Sequence, residues 1–307
     1  MLTIFATPKP FRGHFAVIQR NAIRSWTLLR PACEIILMGN EEGTSEIATE
    51  FGLRHIPDVA RNTFGTPLVS DLFKQAQQIS AHNILCYVNS DIILMSDLTR
   101  AVQSVIKRKN RFLLVGHRWN LDVIDILDFK LDWEDKLRNQ VRKVGQLADH
   151  SAIDLFVFPR GMWGDIPPFA IGRPRWDNWM LYRARSLRAA LIDATPVMTV
   201  IHQNHDYSHH PQGKVGVWDS GEALTNDELA GGELHRFTLA DATHLLTVGG
   251  LRVTYDRVYW HRHLSSLPAL YPSLSLPVRF LFRALYLTHP LRSLVGLTSA
   301  PVNPQNK

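Results

Sequence analysis

Cysteine is scarce in this chain: two occur among 307 residues, Cys33 and Cys86. Both stand in apolar strand-like or pre-strand settings and read as buried thiols. That excludes a disulfide framework and favours a reducing compartment. Long apolar runs are missing too: no uncharged run reaches the roughly eighteen residues of a spanning helix. Met1-Leu2-Thr3-Ile4-Phe5-Ala6 passes straight into Thr7-Pro8-Lys9-Pro10, with no basic region or long apolar core of a secretory signal. The expectation is a cytoplasmic protein. Internal repeats and low-complexity tracts are absent as well.

Acid is the minority charge, 28 residues against 34 basic ones, for a net charge of +6. The basic residues are spread along the chain, apart from the short cluster Lys107-Arg108-Lys109 with Arg111. A diffuse excess of this kind suits anionic substrates or an anionic membrane surface. No nucleic-acid module and no clustered basic face are present, so nucleic acid is not an expected partner. The length allows one large α/β domain, or one domain with a subdomain.

The N-terminal third alternates strand and helix. Strands are predicted over Leu2 to Ala6, Glu34 to Met38, and around His55-Ile56-Pro57. Helices are predicted over His14 to Leu29, over a stretch capped by Thr44 or Ser45 and ended by Gly52, and over Leu68 to Ala81. That alternation implies a parallel, doubly wound sheet. Further strands are expected at Phe112 to Gly116, Ala152 to Phe158 and Leu191 to Ile201, with a helix from Trp176 to Leu187.

The most informative stretch is Ile84 to Leu94. A short β-branched run ends in Asn89-Ser90-Asp91, and a second apolar run follows. In open α/β sheets, ligands bind at such carboxyl ends of strands. Asp91 is the one charge between His82 and Ser96. A carboxylate there can hold a hard divalent cation on a diphosphate, or the trio is simply a turn.

Four features occur in one order: Asn89-Ser90-Asp91, the Gly/Pro-rich loop 161–174, Trp176-Asp177-Asn178 opening a helix, and Ile201-His202-Gln203-Asn204-His205-Asp206. This resembles the nucleotide-sugar glycosyltransferases of the GT-A fold. Gly172-Arg173-Pro174-Arg175-Trp176-Asp177-Asn178 and His202-Gln203-Asn204-His205-Asp206-Tyr207 also resemble uncharacterised bacterial glycosyltransferase-like proteins. The resemblance covers about residues 1–210, with weaker support to about 256. It implies an α/β, mostly parallel, GT-A-like (Rossmann-like) sheet flanked by helices. The catalytic domain would span 1–210, with a nucleotide-binding half over about 1–95 and an acceptor half over about 96–210. Residues 211–307 would form a C-terminal extension.

The resemblance further implies a donor nucleoside-diphosphate sugar, a hydroxyl-bearing glycan, lipid or small-molecule acceptor, and a divalent cation, Mn²⁺ or Mg²⁺. Asp91 and His202 would be the metal ligands. Asn89 departs from the usual first acid of the metal motif and brings no charge. Asp177 would be the base that takes the acceptor proton, although an acid in a helix's first turn also favours the helix dipole. Asp154, an acid inside an apolar strand, is the competing base, or else a structural hydrogen-bond acceptor.

Candidate donor contacts are Thr7, Asn40, Asn62, Gly65, Asn89, Arg118, Arg173 and Arg175, each with turn chemistry or local pairing as the plainer reading. Trp119, Trp163, Trp176 and Trp179 cluster on the expected acceptor side, where one or two would stack on a sugar; tryptophans are also core fillers. His202, His205, His209 and His210 are dense, but no cysteine lies near and their spacing matches no recognised zinc pattern. His205 with Asp206 is an alternative acid/base or orienting pair. The stretch 277–287 pairs a large apolar surface with arginines four apart; it fits peripheral contact with an anionic membrane, or a helix packed on the domain.

Two other readings remain open. A nucleotidyltransferase would carry a Gly-rich phosphate loop after the first strand, whereas Thr7-Pro8-Lys9-Pro10-Phe11-Arg12-Gly13 has one glycine and two prolines. A non-catalytic nucleotide-sugar-binding module draws its support from Asn89.

Overall fold

A computed structural model of the chain describes residues 1–206, 213–254, 257–278 and 280–281. In chain order the first half carries β1 (Leu2–Ala6), α1 (Gly13–Thr27), β2 (Glu34–Met38), α2 (Thr44–Phe51), β3 (Arg54–Ile56), α3 (Val69–Ile79), β4 (Ile84–Val88), β5 (Ile92–Ile93), α4 (Ser96–Ile106), β6 (Phe112–Val115) and β7 (Arg118–Leu121). The second half carries α5 (Trp133–Val144), β8 (Gln146–Leu147), β9 (Leu155–Pro159), α6 (Trp176–Ser186), β10 (Ala190–Asp193), β11 (Val200–Gln203), α7 (Gly213–Trp218), α8 (Gly221–Ala230), β12 (His244–Thr247), β13 (Gly250–Val253) and α9 (Arg257–Leu270).

Nine strands form one mostly parallel sheet in the order β13-β12-β10-β6-β9-β4-β1-β2-β3. The strand side chains alternate between two apolar layers, as the two-residue period of a strand requires. Phe5, Ile36, Leu85, Tyr87, Phe156 and Phe158 face α3 and α6. Ile4, Leu37, Cys86, Val88, Val157 and Leu114 face α1, α2 and α4. Both faces are covered, which is why these strands read as continuous apolar runs.

The structure departs from the sequence reading in several places. β9 runs antiparallel to both β4 and β6, so the sheet is mixed. Strand direction depends on how the chain returns, which hydrophobic pattern does not encode. Residues 118–121, just past the strand expected at Phe112 to Gly116, form β7 in a second sheet of order β5-β11-β7-β8. Two-residue strands such as β5 and β8 are too short to leave a periodic signal. β12 and β13 of the C-terminal region extend the main sheet, β12 pairing parallel with β10. Neither Thr44 nor Ser45 caps α2: Gly43 occupies the cap position with no side-chain bond. The expected stop at Gly52 holds, its φ of 64° being one that glycine adopts without a Cβ penalty.

Of the four tryptophans considered for sugar stacking, Trp163, Trp176 and Trp179 are buried core residues and Trp119 is half-buried. Cys86 is buried and Cys33 half-buried, and both are free thiols. No helix among the described residues is long and apolar enough to cross a membrane.

Phe73 of α3 is fully buried and meets the rings of Phe5, Tyr87, Phe158, Trp163 and Trp176 at centroid distances of 5.1–6.5 Å. Phe73→Ala is expected to cost about 3–5 kcal/mol through lost burial and a residual cavity, read as a shift in denaturant unfolding.

Candidate active site

The chain leaves the main sheet at the end of β4, turns through Asn89-Ser90-Asp91, and enters the second sheet as β5. There β11 pairs antiparallel with β5, placing His202 opposite Ile92, and parallel with β7, placing His202 opposite Asn120. This register brings Asp91 and His202 together from 111 positions apart in sequence. Gln203, fully buried, secures the arrangement. Its amide donates to the carbonyls of Ile18 at 2.7 Å and Asp91 at 2.9 Å, and its oxygen accepts from Asn21 of α1.

Asp91, His202 and His205 present ligand atoms all within 4.8 Å of one another. Asp91 Oδ2 lies 3.1 Å from His205 Nε2 and 3.9 Å from His202 Nε2. Burial opposes ionisation of Asp91, but the His205 contact and the charges of His202 and Lys9 outweigh it and hold the carboxyl well below its usual range. Burial lowers the pKa of His202. Asp91 Oδ1 and His202 Nδ1 are buried and have no hydrogen-bond partner among the described residues.

His205 adds a further constraint. Its Nδ1 lies 2.6 Å from the Asp206 carbonyl oxygen, which can only accept, so Nδ1 carries the proton. In the neutral ring Nε2 then presents a lone pair to the Asp91 carboxylate. That lone pair and the carboxylate can share a metal ion. One carboxylate and two imidazoles, with unpartnered buried donor atoms, fit a divalent ion. The two nitrogens suit a transition ion such as Mn²⁺ better than Mg²⁺, which takes hard oxygen ligands. The sequence pattern pointed to Asp91 and His202. In sequence His205 stands in the dense histidine cluster and in an alternative pair with Asp206; only the turn after β11 brings its ring to the carboxylate. His209 and His210 lie outside the described residues.

Beside this trio is a cleft of about 320 Å³. Thr7, Lys9, Gly65, Asn89, Asp91 and Arg173 are among its lining residues. Gln19 of α1, missed by sequence reasoning because a glutamine on an amphipathic helix carries no signal, joins two of its walls. It exchanges hydrogen bonds with the Lys9 backbone at 2.7 and 2.9 Å and accepts from Ser90 Oγ at 2.7 Å. Burial lowers the pKa of the Lys9 ammonium, against the opposing charges of Asp91 and Asp154. Thr7 Oγ1 is buried without a partner among the described residues.

Asn40, Asn62, Arg118 and Arg175 are not among the residues that line this cleft. Asn40 is exposed and accepts from Arg61, which also pairs with Glu41. Asn62 accepts from the amides of Phe64 and Thr66 and donates to Glu222, so its side chain is committed to the fold. Arg118 donates to Asp154 Oδ2 at 2.8 Å, and Asn89 donates to Asp154 Oδ1 at 2.6 Å while accepting from Tyr87 Oη. Both Asp154 oxygens are therefore engaged.

Arg175 pairs with Asp227 and Glu233 and lines a second cleft, of about 410 Å³, together with Asp177, Trp218 and Ser151. Desolvation, with the charge of Asp154 adding to it, pushes the Asp177 carboxyl up to about 7, although the Asn178 amide hydrogen bond at 2.9 Å opposes this. The carboxylates of Asp91, Asp154 and Asp177 all act on the buried Tyr87 phenol, whose pKa burial already raises.

No family model matches the chain, and no curated protein sequence does. Solved structures do show a likeness. A mannosyltransferase from Pyrobaculum calidifontis, in complex with GDP-Man and Mn²⁺, is 11% identical over 66% of this chain and 56% of that one, with a TM-score of 0.42. Glucosyl-3-phosphoglycerate synthase from Mycobacterium tuberculosis, in complex with Mg²⁺ and uridine diphosphate, is 12% identical over 76% of this chain and 80% of that one, with a TM-score of 0.45. TarS from S. aureus, in complex with UDP-GlcNAc, is 8% identical over 66% and 58%, with a TM-score of 0.44. The match spans less than two thirds of the mannosyltransferase and TarS chains. Likenesses this distant assign neither family nor activity.

Titration of Mn²⁺ into the protein is expected to show one site. Asp91→Asn and His202→Ala should each weaken it at least about tenfold, since ligand-sphere changes typically cost 10–100-fold. Calorimetry reads the effect.

Proposed function

We propose that this protein is a glycosyltransferase that moves a sugar from a nucleoside-diphosphate donor to a hydroxyl acceptor. The observation that carries this reading is the convergence of Asp91, His202 and His205, whose ligand atoms all lie within 4.8 Å of one another, at the edge of a cleft that Lys9 and Arg173 also line.

In this reading the cleft holds the donor. Asp91, His202 and His205 hold a divalent cation, which when bound offsets the charge that builds on the diphosphate as it leaves. Lys9 and Arg173 add fixed positive charge to the same wall. Thr7 offers a hydroxyl to the nucleoside. Asn89 is a positioning residue: it orients Tyr87 and Asp154 and brings no charge of its own.

The acceptor occupies the second cleft, where the exposed face of Trp218 provides a stacking surface. Asp177 takes the acceptor hydroxyl proton on Oδ2, since Oδ1 already accepts from the Asn178 amide. A carboxyl raised to about 7 is a far better proton acceptor than an ordinary one. Asp154, with both oxygens engaged, holds Arg118 and Asn89 in place instead of accepting a proton. The acceptor class stays at a hydroxyl-bearing glycan, lipid or small molecule. Of the membrane-contact stretch, residues 279 and 282–287 lie outside the described residues.

A non-catalytic donor-binding module is the second reading, favoured by the uncharged Asn89. The two separate on turnover. Wild type is screened against UDP-, GDP- and dTDP-sugars with and without Mn²⁺, beside Asp91→Ala. Metal-dependent hydrolysis or transfer from one donor, lost in Asp91→Ala, is the expected result. Binding without turnover would favour the module, and no binding would sink both. Asp177→Asn is expected to lower kcat by ~10²–10⁴-fold with donor binding unchanged. For wild type, kcat/KM should rise with pH through about 7, because the base works only when deprotonated; a flat profile from pH 5 to 9 would contradict the role.

A further inference from the structure

The donor cleft has one support that comes from the C-terminal region. Two of its walls are the loop carrying Gly65 and Thr66 and the loop carrying Gly172 and Arg173. Backbone bonds join their bases, Ile171 N to Pro67 O at 3.0 Å and Val69 N to Phe169 O at 2.9 Å. Neither bond reaches the Arg173 side chain. What orients that side chain is Glu222, in the first turn of α8.

Glu222 is buried. Its Oε2 accepts from Arg173 Nη2 at 2.6 Å and Nε at 2.9 Å, and its Oε1 accepts from Asn62 Nδ2 at 2.6 Å. One carboxylate therefore ties both walls. Burial would raise its pKa, but the bonds from Asn62, Thr66 and Arg173 outweigh that and keep the carboxyl below its usual range. One turn further along α8, Asn226 is also buried. It donates to the carbonyls of Ala170 and Pro174 and accepts from the Ala170 amide, fixing the backbone on each side of Arg173. The i, i+4 spacing puts both side chains on one face of the helix.

Glu222 engages the Nε/Nη2 edge of the guanidinium and leaves Nη1, whose one hydrogen bond among the described residues is a long one of 3.4 Å to Gly172 O. A guanidinium held along one edge by a carboxylate keeps its remaining N–H groups in a fixed plane, ready for phosphate oxygens. We infer that Glu222 is a positioning residue for the donor site: it presents Arg173 to the diphosphate and sets the opposing loop through Asn62. This rests on the donor reading proposed above. It makes α8, a helix of the C-terminal region, part of the donor site.

The test is a double-mutant cycle read by calorimetric binding of UDP, GDP and dTDP in the presence of Mn²⁺. For whichever nucleotide binds wild type, Glu222→Ala should weaken binding about tenfold, of the order expected when a charge-assisted contact is lost. Arg173→Ala should weaken it by a similar factor. The pair should be clearly less than additive, because the larger part of the Glu222 effect passes through Arg173 and only its hold on Asn62 remains when Arg173 is gone. Glu222→Gln, which keeps an acceptor for the guanidinium, should recover part of the loss, and its thermal melt shows whether the fold persists. In turnover, KM for the donor should rise with kcat little changed. Additive effects of the two alanines, or unchanged binding in a folded Glu222→Ala or Glu222→Gln protein while Arg173→Ala weakens it, would overturn the inference alone. Failure of wild type to bind any of the three nucleotides would remove the donor reading, and this inference with it.

Discussion

The candidate site depends on the side-chain amide of Gln203. It is fully buried, and both its N–H groups and its oxygen are engaged: by the backbone carbonyls of Ile18 and Asp91 and by the Asn21 amide. Those partners belong to α1 and to the turn between the two sheets. An unmade bond at such depth costs about 1–3 kcal/mol per group. Register slippage of β11 by one residue would break all of these bonds and turn His202 away from Asp91. The histidine and the carboxylate are thus fixed by a neighbour that bonds the Asp91 backbone and leaves its carboxylate free.

From that junction the electrostatics follow. Asp91, Lys9 and Arg173 line the first cleft and Asp177 lines the second. The surroundings of the carboxylates differ. Asp91 is held ionised by its histidines, Asp154 is engaged by Arg118 and Asn89, and Asp177 is left desolvated with a raised carboxyl. Groups of one chemical type given different roles by surroundings are the usual signature of a reacting site. Asn89 fits this division: an acid there, between Asp91 and Asp154, would add a third like charge to a buried wall.

The C-terminal region changes in meaning once folded. Its sequence is polar and loose between 213 and 232, and it reads as an appendage. Yet Glu222 and Asn226 are buried and bonded to both cleft loops, and 244–253 extends the main sheet. Polar residues that complete buried networks leave the same trace in a sequence as polar residues facing water, so hydropathy alone cannot separate them.

By itself the sequence determined the α/β alternation, the strand-end position of Asp91, Gly52 as a helix stop and Asp177 in the first turn of a helix. These are local properties, set by side-chain period, turn chemistry and glycine's freedom at positive φ. Only the tertiary structure decided that β9 runs antiparallel, that 118–121 is a strand, that His205 joins Asp91 and His202, and that Asn62 and Arg173 share one carboxylate. Each of those depends on pairing between segments distant in the chain. Such pairing is chosen by the total burial and hydrogen bonding of the whole fold, which no local window contains.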